Sequence, residues 1–186
     1  MPLTSIRPAV LEDAAAIAQV RVDSWRTTYR GVMPDAYLDA MSVEQSTALW
    51  HRVLGSAPNR THTFVAETAG VITGFGSGLM LSEPKHDLDA ELTAVYIRPA
   101  QQRTGIGHRL VGAVATAQRA LGATGLLAWV LAANRRARAF YASLGAELLI
   151  EQPYQWDGMD LVETGYGWRD LDALITACGP IVMTQH

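Results

Sequence analysis

The stretch AELTAVYIRPAQQRTGIGHR, residues 90–109, decides how this chain is read. Alternating strand-forming residues end at Pro99, and a loop with Gly105 and Gly107 then opens a long amphipathic helix. The first turn of a helix carries backbone N–H groups without intrahelical acceptors, and the aligned peptide dipoles add positive charge there. A strand, a glycine loop and a helix N-terminus therefore make an anion site, and glycine lets a phosphate approach without a Cβ in the way. The expected ligand is phosphorylated.

Working outward, Glu91, Thr93, Val95 and Ile97 are expected on one face of the strand and Leu92, Ala94 and Tyr96 on the other. Apolar residues at 106, 110, 114, 117 and 121 form one stripe of the following helix, with Arg109, Gln118 and Arg119 off it. Leu126–Leu131 is an unbroken apolar run, the mark of a strand covered on both sides. Strand, helix and strand in this order form a crossover, so the two strands are parallel. Asn134 caps a second helix that Gly145 closes, and Asp157-Gly158 marks a hairpin between strands 147–156 and 159–168.

Upstream, a strand over Thr4–Arg7 precedes a helix from about Glu12 to Tyr29, stopped by Gly31. Pro34 starts a short helix, and Ser42 with Gln45 reads as a capping box for another ending near Gly55. Strands at 62–67 and 71–81 turn at Ala69-Gly70, and the polar segment 82–89, with Pro84, reads as a loop. The expected fold class is α/β (α+β): one domain with a mixed, twisted sheet of about seven strands and helices on both faces. Residues 1–176 form that domain, with 177–186 as a flexible C-terminal tail.

Composition narrows the function classes. The 186 residues carry a net charge of −3 and 49% apolar content, so neither disorder nor a general attraction to nucleic acid is indicated. No signal-like start or membrane-spanning run is evident, which suggests a cytoplasmic protein without a membrane partner. The single cysteine, Cys178, reads as an inert thiol in the tail, and the five histidines lack metal-ligand spacing, so no metal is expected. Gly105-Ile106-Gly107 also lacks a third dinucleotide-type glycine and a P-loop lysine.

What does match is Gln102-Arg103-Thr104-Gly105-Ile106-Gly107 directly after VYIRP, followed by Asn134, Ala139-Phe140-Tyr141 and Leu144-Gly145-Ala146. On these motifs the chain resembles the GCN5-related N-acetyltransferase (GNAT) family. The segment Ser24-Trp25-Arg26, Tyr29-Arg30-Gly31, Pro34 and Tyr37-Leu38 resembles a common variety of it. The resemblance implies an acetyl-CoA-dependent N-acetyltransferase acting on a primary amine of a small molecule or peptide.

It also implies that the diphosphate rests on N–H groups from Arg103 to His108, within the loop Gln102, Thr104, Gly105, Ile106 and Gly107. The pantetheine arm would pair with the backbone of Val95, Tyr96 and Ile97 and meet Asn134, and Tyr141 would protonate the departing thiolate. Arg103 and Arg109, and Arg135, Arg136 and Arg138, are candidate phosphate supports, with a solvated helix face as the alternative for the last group. Glu91 is the candidate base, on the face of Val95 and Ile97, and a bulge at Val95 would free an N–H for the oxyanion. Trp25 and Tyr29 would wall the acceptor pocket, and Asp87, with Asp89 and Asp157, would attract a cationic amine. Segments 29–36, 82–89 and 153–159 would tune the choice of acceptor. The competing reading is an acyl-CoA-binding sensor or partner module without turnover. The edges of the last hairpin and the apolar residues 181–183 would suit a homodimer.

Overall fold

A computed structural model describes residues 3–56 and 60–180. Seven strands form one sheet in the order β1-β2-β3-β4-β5-β7-β6, where β1 is Thr4–Pro8, β2 Thr61–Thr68, β3 Val71–Lys85, β4 Leu88–Ile97, β5 Leu126–Leu131, β6 Glu147–Trp156 and β7 Met159–Trp168. Every neighbouring pair is antiparallel except β4 and β5, which are parallel as the crossover requires. The helices are α1 (Ala14–Thr28), α2 (Asp35–Ala40), α3 (Val43–Gly55), α4 (Ile106–Ala120), α5 (Arg135–Ser143) and α6 (Leu171–Cys178).

Two cores fill the two sides of the sheet. On one, Ile17, Val20 and Ala18 of α1 and Trp50 of α3 pack on Val65, Ile72 and Phe75. On the other, Leu110, Val111 and Val114 of α4, Tyr141 and Leu144 of α5, and Leu171 and Leu174 of α6 pack on Phe64, Ala90, Leu92 and Leu126. Local signals hold at the helix starts: Ser42 Oγ accepts from the Gln45 N–H at 3.1 Å, and Asn134 Oδ1 accepts from the Ala137 N–H at 3.0 Å.

Four local expectations differ from the structure. Segment 82–89 is a hairpin, since β3 continues to Lys85, a turn at His86 and Asp87 has positive φ at both residues, and β4 starts at Leu88. Pro84 is tolerated because the β3–β4 ladder has no pairs between Met80 and Lys85, so no N–H is needed there. Gln118 is fully buried and Leu121 is 42% exposed, the reverse of the expected stripe. The reason is that Gly76 and Gly78 of β3 let α4 come in close, turning a broader face of it inward. Finally, α6 runs two residues into the expected tail, with Asp170 Oδ1 accepting from the Ala173 N–H at 2.9 Å. Cys178 is therefore buried in the core, where desolvation pushes its thiol up to about 11. Residues 181–183 lie outside the described residues.

The decisive irregularity is in β4. Ser77 pairs with Ala94 and Gly78 with Leu92, so Thr93 is an extra, bulged residue whose Oγ1 donates to the Ser77 carbonyl at 3.1 Å. A bulge resets the period of two, so residues before and after it exchange faces. Ala90 and Leu92 thus share the α4 side with Val95 and Ile97, while Ala94 and Tyr96 join the α1 side. The pairing of β4 with β5 also stops at Leu92 and Ala128. Beyond that point the two strands part, and one backbone edge of β4 is left without a neighbour.

Candidate active site

The gap between β4 and β5 holds a cavity of about 390 Å³. Leu92 to Tyr96 line it from β4, Trp129 to Leu131 from β5, Ala137 and Tyr141 from α5 with its N-cap Asn134, and Trp25 from α1 with its C-cap Tyr29. Because α1 and α5 lie on opposite faces of the sheet, the gap is lined from both sides.

On the α4–α5 side, Pro99–Gln101 forms a short 3₁₀ turn after β4, and the Gln102 side chain braces it by donating to the Ile97 carbonyl at 2.9 Å. Thr104 Oγ1 donates to the Gln101 carbonyl at 2.7 Å. Arg103 has φ of 65° and Gly105 of 82°, and Gly105 is an N-cap with no side-chain cap. The first N–H groups of α4 are thus left without a side-chain acceptor, and a Cβ on Gly105 would meet nothing within 4 Å. Gly107 serves another purpose, since a Cβ there would stand 3.1 Å from Phe140 Cζ and 3.2 Å from Ile97 Cδ1. Its small size lets α4 pack on α5, and His108 lies edge-to-face on Phe140 at 5.4 Å.

The arginines divide. Arg103, Arg135 and Arg136 are exposed. Arg109 instead donates to the Thr4 carbonyl at 2.8 Å and ties α4 to β1. Arg138 donates to Tyr166 Oη at 3.2 Å and to the Ala132 carbonyl at 3.1 Å, so it braces α5. Neither is turned toward the uncapped helix end.

In the gap, Tyr141 is 8% exposed among Phe140, Tyr166 and Trp168. Among the described residues its hydroxyl has no hydrogen-bond partner, although Tyr141 lines the cavity. Burial raises its pKa well above the ordinary phenol value, so it stays protonated. Asn134 does two things: it caps α5, and its Nδ2 donates to Tyr29 Oη at 3.3 Å, bridging α5 to the end of α1. Trp25 Nε1 donates to Tyr96 Oη at 2.9 Å, and burial pushes that phenol up to about 12. Trp25 also packs on Tyr29 at 5.0 Å and Trp156 at 6.0 Å, and Trp156 Nε1 donates to Tyr37 Oη at 2.7 Å.

Glu91 is not where alternation puts it. The Thr93 bulge moves it off the face of Val95 and Ile97 and into an adjoining outer pocket with Lys85, His86, Trp129, Gln152, Tyr154 and Glu163. Burial raises the Glu91 pKa, the Lys85 ammonium 3.8 Å away offsets part of this, and Glu163 adds to it. The bulge also falls two residues earlier than the expected one at Val95. Asp87 is exposed in the β3–β4 turn and lines neither pocket, because turn geometry points it outward. Asp89 accepts from the N–H groups of Thr124 and Gly125 at 3.0 Å; burial would push it up, but these bonds hold it below the usual range. Asp157 is likewise exposed, in the β6–β7 turn.

Tyr154 and Trp156 line the cavity from the expected segment 153–159, whereas Arg21, Trp50, Trp129 and above all Glu163, which lines both pockets, went unanticipated. A signal for Glu163 exists, since Met159, Leu161 and Glu163 share a face of β7 and a carboxylate in line with two inward apolar residues is unusual. Among the described residues no group of three His, Cys, Asp or Glu side chains is placed to hold a metal, and no helix is long and apolar enough to cross a membrane.

Residues 19–146 match the model of the "Acetyltransferase (GNAT) family". Over 175 residues the chain is 33% identical to an uncharacterized N-acetyltransferase, YuaI, of Bacillus subtilis (strain 168), covering 94% of this chain and 98% of that protein. Among solved structures it is similar to the PaiA N-acetyltransferase of Thermoplasma acidophilum in complex with coenzyme A, with a TM-score of 0.67 and 20% identity over 87% of this chain and 98% of that one. It is also similar to YncA of Salmonella typhimurium, a putative acetyltransferase solved with acetyl-CoA, with a TM-score of 0.67 and 22% identity over 90% and 94% of the two chains. The last two likenesses are ones of fold.

Proposed function

The chain belongs to the GNAT family of acetyltransferases, and on that premise we propose that it moves an acetyl group from acetyl-CoA to a primary amine by direct attack in the gap between β4 and β5. One observation carries the reading: β4, whose edge toward β5 is unpaired beyond Leu92 and lines a cavity with Tyr141, runs on through a short turn to the uncapped N-terminus of α4. Each part fits a section of the donor. Diphosphate needs several N–H groups and a positive dipole, and the segment from Arg103 to His108 offers both. An amide-bearing arm can add to a free strand edge as a further strand, here at Val95, Tyr96 and Ile97. Acetyl-CoA supplies the activated thioester.

The protein's own groups then supply the rest. An N–H on the free edge of β4 donates to the negative charge that grows on the acetyl oxygen. Tyr141 holds its proton at the sulfur, and the burial that keeps the phenol protonated also makes a departing thiolate more basic, which matches donor to acceptor. The amine must lose a proton, and Glu163 on the cavity with Glu91 behind it forms the acceptor path, directly or through ordered water. Trp25 and Tyr29 wall the amine's side.

The test is release of CoA thiol from acetyl-CoA against a panel of primary amines. Turnover with any of them supports the transferase reading, and acetyl-CoA binding without turnover favours the sensor. The base assignment has its own check. Since the Glu91 pKa is raised, the acid limb of kcat/KM should lie above the ordinary glutamate range, and Glu91→Gln should flatten it and lower the rate about tenfold to a hundredfold. Its stability has a defined sign. The folded protein holds this proton more tightly than the unfolded chain, so ionisation works against the fold as pH rises through the window above the glutamate value. Glu91→Gln should therefore melt higher relative to the parent at pH 8 than at pH 4; a constant offset would remove the burial argument.

A further inference from the structure

The central cavity has unlike walls. Glu163 lines both it and the outer pocket of Glu91, and Arg21 and Trp50 line it from α1 and α3. We propose that Arg21 binds a carboxylate carried by the acceptor, so that the acceptor is a zwitterionic amine of amino-acid type with an apolar body. This rests on the acetyl-transfer reading above and names the acceptor class for the same site.

Arg21 is set apart from the structural arginines. Arg7 meets Asp13 at 2.7 Å and Glu67 at 2.9 Å, and Arg30 meets Asp35 at 3.0 Å. Among the described residues no carboxylate lies within ion-pair distance of Arg21, and it makes no hydrogen bond. Asp23, its neighbour on α1, accepts from Gln19 at 2.8 Å instead. The guanidinium lies 5.0 Å from the ring centre of Trp25, where stacking holds it planar on the cavity wall. A planar guanidinium presents a fork of donors matched to a carboxylate.

Trp50, 6% exposed, lines the cavity as well. A guanidinium left without an anionic partner in a partly closed cavity favours an acceptor oxygen there. Trp25, Met33, Trp156 and Leu161 on the same cavity suit an apolar body. A diamine would place its second cation against Arg21, and an amine with no carboxylate would leave Arg21 without an anionic partner.

The experiment measures CoA-thiol release with methionine, leucine and phenylalanine, each against its C-terminal amide and its decarboxylated amine, and with a linear diamine. The free acids should lead their amides by about tenfold to a hundredfold in kcat/KM, mostly through KM, as a charged hydrogen bond gained in a closed site allows. In Arg21→Gln that ratio should fall to near one, and Arg21→Lys should restore part of it, while acetyl-CoA raises Tm equally in all three proteins. The proposal is overturned if amides or diamine match the acids, if Arg21→Gln keeps the ratio, or if a parent protein stabilised by acetyl-CoA acetylates none of the acids. A parent protein that acetyl-CoA does not stabilise overturns the donor assignment first, and this proposal with it.

Discussion

Tyr141→Phe is expected to lower kcat about a hundredfold or more, with little change in acetyl-CoA affinity, as loss of a positioned proton donor does. The substitution removes one oxygen and no hydrogen bond made to the described residues, and it keeps the aromatic packing on Tyr166 and Trp168. Structural damage should therefore be small, and a melting temperature close to that of the parent is the control. The loss should also depend on the leaving group, because a thiolate of low basicity needs less help. An acetyl donor with a more acidic thiol should close much of the gap between Tyr141→Phe and the parent. Equal rates of the two proteins with acetyl-CoA would show that Tyr141 is only a core aromatic.

Gly78→Ala is the strongest destabilising change expected of a single added methyl. Its Cβ would overlap Val114 Cγ1 and stand 2.9 Å from the Glu91 carbonyl oxygen, and neither a β-branched helix residue nor a strand backbone yields cheaply. The cost should be about 2–3 kcal/mol, a fall in Tm of roughly 4–12 °C for a domain of this size. Relief at the helix side identifies the cause: Val114→Ala should destabilise the parent but recover part of the loss in the double variant. Additive effects would place the strain at the Glu91 backbone instead. The position matters for function, since Gly78 pairs with Leu92 beside the Thr93 bulge.

How far the sequence could be read follows the range of the interactions involved. The cap of Asn134, the turn at Asp157 and Gly158, and the start of α4 at the Gly105 loop depend on a few neighbouring residues, and each is present as read. Glu91 was misplaced because period-two reasoning assumes an unbroken ladder, and the bulge is a property of β3 and β4 together. Arg109 looked like a phosphate support for the same kind of reason: its partner, the Thr4 carbonyl, is 105 residues away in the chain. Segment 82–89 read as a loop because a proline in a strand counts against pairing, unless the ladder is already interrupted there.

By itself, then, the sequence determined the order of elements apart from α6, the parallel crossover, and a strand, glycine and helix start suited to a diphosphate. These are local matters of backbone geometry, written in consecutive residues. Only the tertiary structure decided how the pockets are lined. Arg21, Trp50 and Glu163 come from α1, α3 and β7 to one cavity, and Glu91 of β4 lines the pocket that adjoins it, where β4 parts from β5 beyond Leu92. The physical reason is that a gap in a sheet exists only when both strands are in place, so no single segment encodes it.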